Sequence, residues 1–155
     1  MKPISEREIL AAQKEWGDGI VEIGRLMLEG GDYTARAEQH IDTLYAYDLA
    51  PTLFNPTKAA EVQFRTKRAG ALSYFVAGNA DYEEDHGFAL QPWTAVRFEN
   101  AGFFIAEGLS LAMGNYFFTD TDDVETKVEY TFGYIRDDAG RLRIVLHHSS
   151  LPYSG

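Results

Sequence analysis

At 155 residues, with 45% apolar and 14% aromatic content, the chain is long enough to bury one core and too apolar to stay disordered. Its 24 acidic residues against 14 basic ones give a formal net charge of -10, which argues against nucleic acid or an anionic membrane as partner. The absence of cysteine excludes disulfides, thiolate zinc sites and cysteine nucleophiles.

No apolar run approaches the ~20 residues that span a bilayer. The N-terminal M-K-P-I-S-E-R-E-I-L turns polar too soon for a secretory signal, so a soluble cytoplasmic protein is expected.

Ser5-Glu6-Arg7-Glu8 reads as a capping box that opens a helix. Behind it Ile9, Ala12, Trp16, Ile20, Ile23 and Met27 recur at three- and four-residue steps. Gly30-Gly31 ends that helix, and Asp32 caps a second one running to about Tyr47. Beyond Pro51 the pattern turns to strands. Leu53-Phe54-Asn55 is confined to an edge or an end by Pro56. Ala71 to Ala77 alternates, with Leu72, Tyr74 and Val76 on one face. Segments 93–105, 109–118, 125–136 and 141–150 are rich in aromatic and β-branched residues, and short turns at hairpin spacing separate them. These features predict one α+β domain over residues 1–155. A helical part (1–50) packs on one face of a strongly curved antiparallel sheet (51–155), forming a cone with an internal pocket.

The chain ends R-L-R-I-V-L-H-H-S-S-L-P-Y-S-G. Side chains alternate along a strand, so His148 and Ser150 share the face of Leu142, Ile144 and Leu146, while His147 and Ser149 join Arg143 and Val145 opposite. A burying face takes the leucines, which turns His148 and Ser150 inward; a bulge near the strand end would reverse the assignment. The same test turns Tyr74 inward, and Thr57 follows the short edge strand. Lone hydroxyls and imidazoles near strand ends are more often satisfied by backbone or water than catalytic. Adjacent histidines on a strand cannot readily share one ion, and the only others are His40 and His86. Residues 81–86, D-Y-E-E-D-H, read as a solvated acidic loop. There is no phosphate loop and no nucleophile elbow.

The stretches N-P-T-K-A-A-E-V-Q-F-R, G-A-L-S-Y-F-V-A-G and G-F-A-L-Q-P-W-T-A-V-R-F-E-N-A-G, with M-G-N-Y-F-F-T-D, V-E-Y-T-F-G-Y and the terminal H-H-S-S-L-P, resemble the iota-class carbonic anhydrases. That class lies within the superfamily of nuclear transport factor 2 and the calmodulin-dependent kinase association domain. The resemblance implies reversible hydration of carbon dioxide to bicarbonate and a homodimer formed through the outer sheet face. Its members are described both with and without a metal; the metal-free mode, with no cofactor, is expected here. It implies bicarbonate held by Thr57, Tyr74 and a His/Ser pair. Alignment permits His147 with Ser149 or His148 with Ser150, and strand parity selects the second.

In that reading His148 is the general base, and the Thr57, Tyr74 and Ser150 hydroxyls stabilise the developing oxyanion. Phe98, Tyr130 and Phe132 supply apolar walls. Phe75, Tyr116, Phe118 and Val145 lie on the outer face that pairs with a second copy. A non-catalytic ligand-binding or oligomerisation module of the same fold is the alternative. An isomerase-like enzyme fits less well, since no carboxylate has a strand phase that turns it inward.

Overall fold

Two capped helices cover a bent five-stranded sheet. The structure is a computed structural model, and it describes residues 2–155. Helix α1 (Glu6–Leu28) starts at the expected capping box: Ser5 Oγ accepts the Glu8 amide proton at 3.2 Å, and the Glu8 carboxylate accepts the Ser5 N–H at 2.9 Å. Ile9, Trp16, Ile20 and Ile23 form its buried stripe. Asp32 caps α2 (Tyr33–Leu44) by accepting from the Ala35 amide at 3.0 Å. This helix stops short of Tyr47 because the chain leaves for the sheet, where the Ala46 N–H bonds to the Ile144 carbonyl at 2.9 Å.

The strands are β1 (Leu53–Asn55), β2 (Ala95–Ile105), β3 (Ser110–Thr119), β4 (Glu125–Arg136) and β5 (Leu142–Ser150), in the order β1-β5-β4-β3-β2. β2 to β5 form the expected antiparallel meander, while β1 lies at the edge, parallel to β5. Two bulges bend the sheet. One lies at Ala101 in β2, opposite Gly114, where an added Cβ would stand 2.2 Å from the Glu99 carbonyl oxygen. The other lies at Val145 in β5, where Gly133 pairs with Leu146 but Tyr134 pairs with Ile144. One core joins both layers, with Trp16 stacked on Tyr116 at 5.5 Å and Tyr130 and Phe132 packed beside them. The architecture is α+β with a curved, open sheet. No helix among the described residues is long and apolar enough to cross a membrane.

Three local expectations are corrected. Residues 71–77 are not a strand; they belong to helix α3 (Arg68–Val76). Ala71, Ser73, Tyr74, Phe75 and Val76 are all buried, so no polar face is left to reveal a helical period, and short apolar runs of this kind read equally well as strands. Phe75, Tyr116 and Phe118 are core residues under the helices, not outer-face residues. The acidic loop is not simply solvated. Asp85 receives both Arg65 guanidinium nitrogens at 2.7 and 2.8 Å and the Ser73 hydroxyl at 2.6 Å, while Glu84 accepts the amide protons of Ala60, Glu61 and Val62. Arg65, itself buried, also donates to the Val62 and Gly70 carbonyls. This one cation therefore ties the loop after β1 to α3 and to the acidic turn.

Candidate active site

The Val145 bulge decides which polar groups enter the core. Up to Ile144 the expected phase holds; one inserted residue then flips every later side chain. His147 and Ser149 are buried, at 2% and 4% exposure. His148 points outward with its Nδ1 3.4 Å from Asn55 Nδ2, and Ser150 donates to the Glu129 carboxylate at 3.3 Å on the outer face. The expected inward pair His148 and Ser150 is thus replaced by His147 and Ser149. Thr57 and Tyr74 do reach this space. Tyr74 arrives from helix α3 rather than from a strand, stacked on Phe88 at 5.5 Å.

Thr57, Tyr74, Tyr116, His147 and Ser149 line one cavity with the rings of Trp16, Phe54, Phe75 and Phe88. Its volume of about 10 Å³ is close to the least that one water requires. The hydroxyls bond to one another: Thr57 Oγ1 lies 2.5 Å from Ser149 Oγ, and Ser149 Oγ also bonds the Tyr116 phenol. Sequence reasoning missed Tyr116 as a polar member of the cavity, and Tyr45, which lies behind it on His147. The parity of β3 groups Tyr116 with Ala112 and Phe118 on the covered face, a signal available once that face is known. Tyr45 sits just past α2, where no periodicity applies.

The proton positions follow from counting donors. Trp16 Nε1–H can only donate, and it donates to Tyr45 Oη at 3.0 Å. The Tyr45 phenol is fully buried, so its own proton needs an acceptor, and its other partner is His147 Nδ1 at 2.8 Å. A neutral His147 that accepts at Nδ1 carries its proton on Nε2 and donates it to Tyr116 Oη at 3.1 Å. Tyr116 then donates to Ser149, and Ser149 to Thr57. The chain runs one way, from Trp16 in the core to the hydroxyls at the cavity. His147 is also clamped by rings, stacked on Phe54 at 4.7 Å and 4.3 Å from Phe132.

Burial governs the charge states. It drives His147 well below the ordinary imidazole range, with smaller contributions from His148 and His40. It also raises the Tyr116 and Tyr74 phenols well above 10, against the opposing effect of the hydrogen bond Tyr116 shares with Ser149 and of the Lys58 amide bonded to Tyr74. Every inner group is therefore neutral at pH 7, and the site offers oriented hydroxyl dipoles rather than formal charge. Among the described residues no group of three or more His, Cys, Asp or Glu side chains could hold a metal ion.

Residues 7–151 match the family model described as metal-independent carbonic anhydrase. The chain belongs to the metal-independent carbonic anhydrase family. A curated relative of that description from Nostoc sp. (strain PCC 7120) is 45% identical over 155 residues, covering 98% of this chain and 76% of the relative. The crystal structure of a cyanobacterial iota-carbonic anhydrase complexed with bicarbonate superposes with a TM-score of 0.96 at 45% identity, over 99% of this chain and 95% of the other. A calcium/calmodulin-dependent kinase II association domain from Xanthomonas campestris shares the fold alone, with a TM-score of 0.61 at 20% identity over 98% and 91% of the two chains. The iota class expected from the sequence is the one found.

Proposed function

We propose that this metal-independent carbonic anhydrase carries out reversible hydration of carbon dioxide in the cavity formed by Thr57, Tyr74, Tyr116, His147 and Ser149. The observation that carries the reading is the one-way hydrogen-bond chain from Trp16 to Thr57, which ends in oriented hydroxyls among aromatic walls. Carbon dioxide is apolar and suits such walls. As a water oxygen bonds to its carbon, one C=O electron pair moves onto oxygen, and the hydroxyls of Tyr74 and of Thr57, the latter aligned by Ser149, supply hydrogen bonds to the growing negative charge. His147 acts by holding Tyr116 from Nε2; it is not the base, because its Nδ1 lone pair is taken by Tyr45 and burial opposes its protonation.

Support from the relatives is of two kinds: the matched family is described as metal-independent, and the iota-carbonic anhydrase of the same fold was crystallised with bicarbonate. Stopped-flow measurement of carbon dioxide hydration after exhaustive dialysis against chelator tests the reading. Retained activity supports it. Activity that returns only with zinc or manganese overturns the metal-free mode.

The homodimer belongs to this proposal, on different residues from those first expected. Phe104 and Met113 are 60% and 55% exposed on the outer sheet face, beside a shallow apolar groove that also includes Ala101, Phe103 and Leu111. A sheet covered by helices on one side leaves such a face to a second copy. A cytoplasmic setting belongs to the same proposal, and subcellular fractionation tests it.

A further inference from the structure

Hydration makes one C–O bond and frees one proton from the attacking water, and that proton must reach an acceptor. Inside the cavity there is none. His147 has one ring nitrogen accepting from Tyr45 and the other donating to Tyr116, while the hydroxyls can pass a proton but not keep it. Resting on the site reading above, we infer that the proton leaves past Tyr74 into the adjoining cavity and is taken up there by His86.

Tyr74 and Phe88 line both spaces. The outer one, of about 150 Å³, is completed by Lys58, Glu84, Asp85, His86, Gly87 and Gln91. The Lys58 backbone N–H donates to Tyr74 Oη at 3.3 Å, which leaves the phenol proton free to be handed on. Gly87, at φ +86°, turns the chain so that Phe88 packs inward against Tyr74 while His86 stays exposed at the rim.

The other groups facing this cavity are committed. Asp85 is held by both Arg65 nitrogens and by Ser73, and Arg65 also lies over the Tyr82 ring. Glu84 accepts the amides of residues 60 to 62, which together with Arg65 keep it ionised. The Lys58 amine donates to Gln91 Oε1 at 3.0 Å, so that side chain offers a donor and Gln91 has its acceptor occupied. That leaves the exposed His86 imidazole, a side chain that can serve as a proton shuttle and that makes no hydrogen bond among the described residues. His86 accepts the proton on its free ring nitrogen and releases it to buffer from its exposed edge.

The test is carbon dioxide hydration by His86→Ala across a range of buffer concentrations. In dilute buffer kcat should fall on the order of a hundredfold, the low end for a positioned proton-transfer group, with kcat/KM unchanged. Concentrated buffer or added imidazole should restore kcat, and His148→Ala should match the parent throughout. Ser149→Ala should be slow at every buffer concentration, because its defect lies in the chemical step. If His86→Ala equals the parent in dilute buffer, or its loss is not restored by imidazole, the exit route falls while the site reading stands. If Ser149→Ala keeps full activity, the site reading falls, whatever His86→Ala does.

Discussion

Tyr45 dictates the tautomer of His147. Its phenol lies 2.8 Å from His147 Nδ1 and receives Trp16 Nε1–H at 3.0 Å, so it has a proton to give and one place to give it. The general base expected at His148 is thus replaced, at the inward position, by an imidazole that donates from Nε2.

Tyr45→Phe should release that control. It leaves both Trp16 Nε1 and His147 Nδ1 buried without a partner, a loss of about 1–3 kcal/mol in folding stability. In the parent, nitrogen NMR should show His147 protonated at Nε2; in the variant the Nδ1–H form should become populated and kcat should drop. A parent spectrum with the proton on Nδ1 would reverse the direction of the chain.

Serine substitutions separate the two faces of β5. Ser149→Ala removes the hydroxyl shared by Thr57 and Tyr116 and should slow hydration on the order of a hundredfold. Ser150→Ala, whose hydroxyl meets only Glu129, should be close to the parent. Equal effects in the two variants would show that the bulge does not set the site.

The buried histidines make stability pH-dependent. His40 is held down to about 3 and His147 well below its ordinary value, both chiefly by burial, so the unfolded chain binds protons near pH 6.5 that the folded chain refuses. Stability is therefore full above about pH 6.5 and falls as pH drops, by about 2 kcal/mol per histidine between pH 7 and 5. Urea denaturation at the two pH values measures this. A midpoint that does not move would mean that neither ring is excluded from protonation.

Asp85→Ala should be among the most damaging single changes outside the cavity. It strands the buried Arg65 charge and frees Ser73, at a cost of about 3–5 kcal/mol. Because Arg65 ties the loop after β1 to α3, which carries Tyr74, catalysis should decline with stability. A variant that melts like the parent would show that solvent already reaches this ion pair.

Phe104→Glu and Met113→Glu place charge on the outer sheet face and should convert a dimer into a monomer of 17.4 kDa. Light scattering on the parent and both variants decides it. A parent already monomeric at micromolar concentration removes the dimer.

The sequence by itself determined the two capped helices, the edge strand limited by Pro56, the four-stranded meander and the family. These rest on local signals: a capping box, a helical repeat, turn residues at hairpin spacing, and several segments shared with relatives. It also brought Thr57 and Tyr74 to the cavity, although Tyr74 arrived there by way of a strand that is a helix. Residues 68–76 are buried nearly all round, and burial on every side erases the period by which helix and strand are told apart.

Only the tertiary structure decided which half of H-H-S-S faces inward. Parity along β5 is correct up to Ile144, but the phase changes at Val145, and a bulge is a property of the pairing with β4 rather than of either strand alone. The same holds for Tyr45 and Tyr116, whose partners stand 102 and 31 residues away in His147. Hydrogen-bond direction depends on which donors meet in three dimensions, so His147 could be recognised as a donor only once Trp16, Tyr45 and Tyr116 had been brought around it.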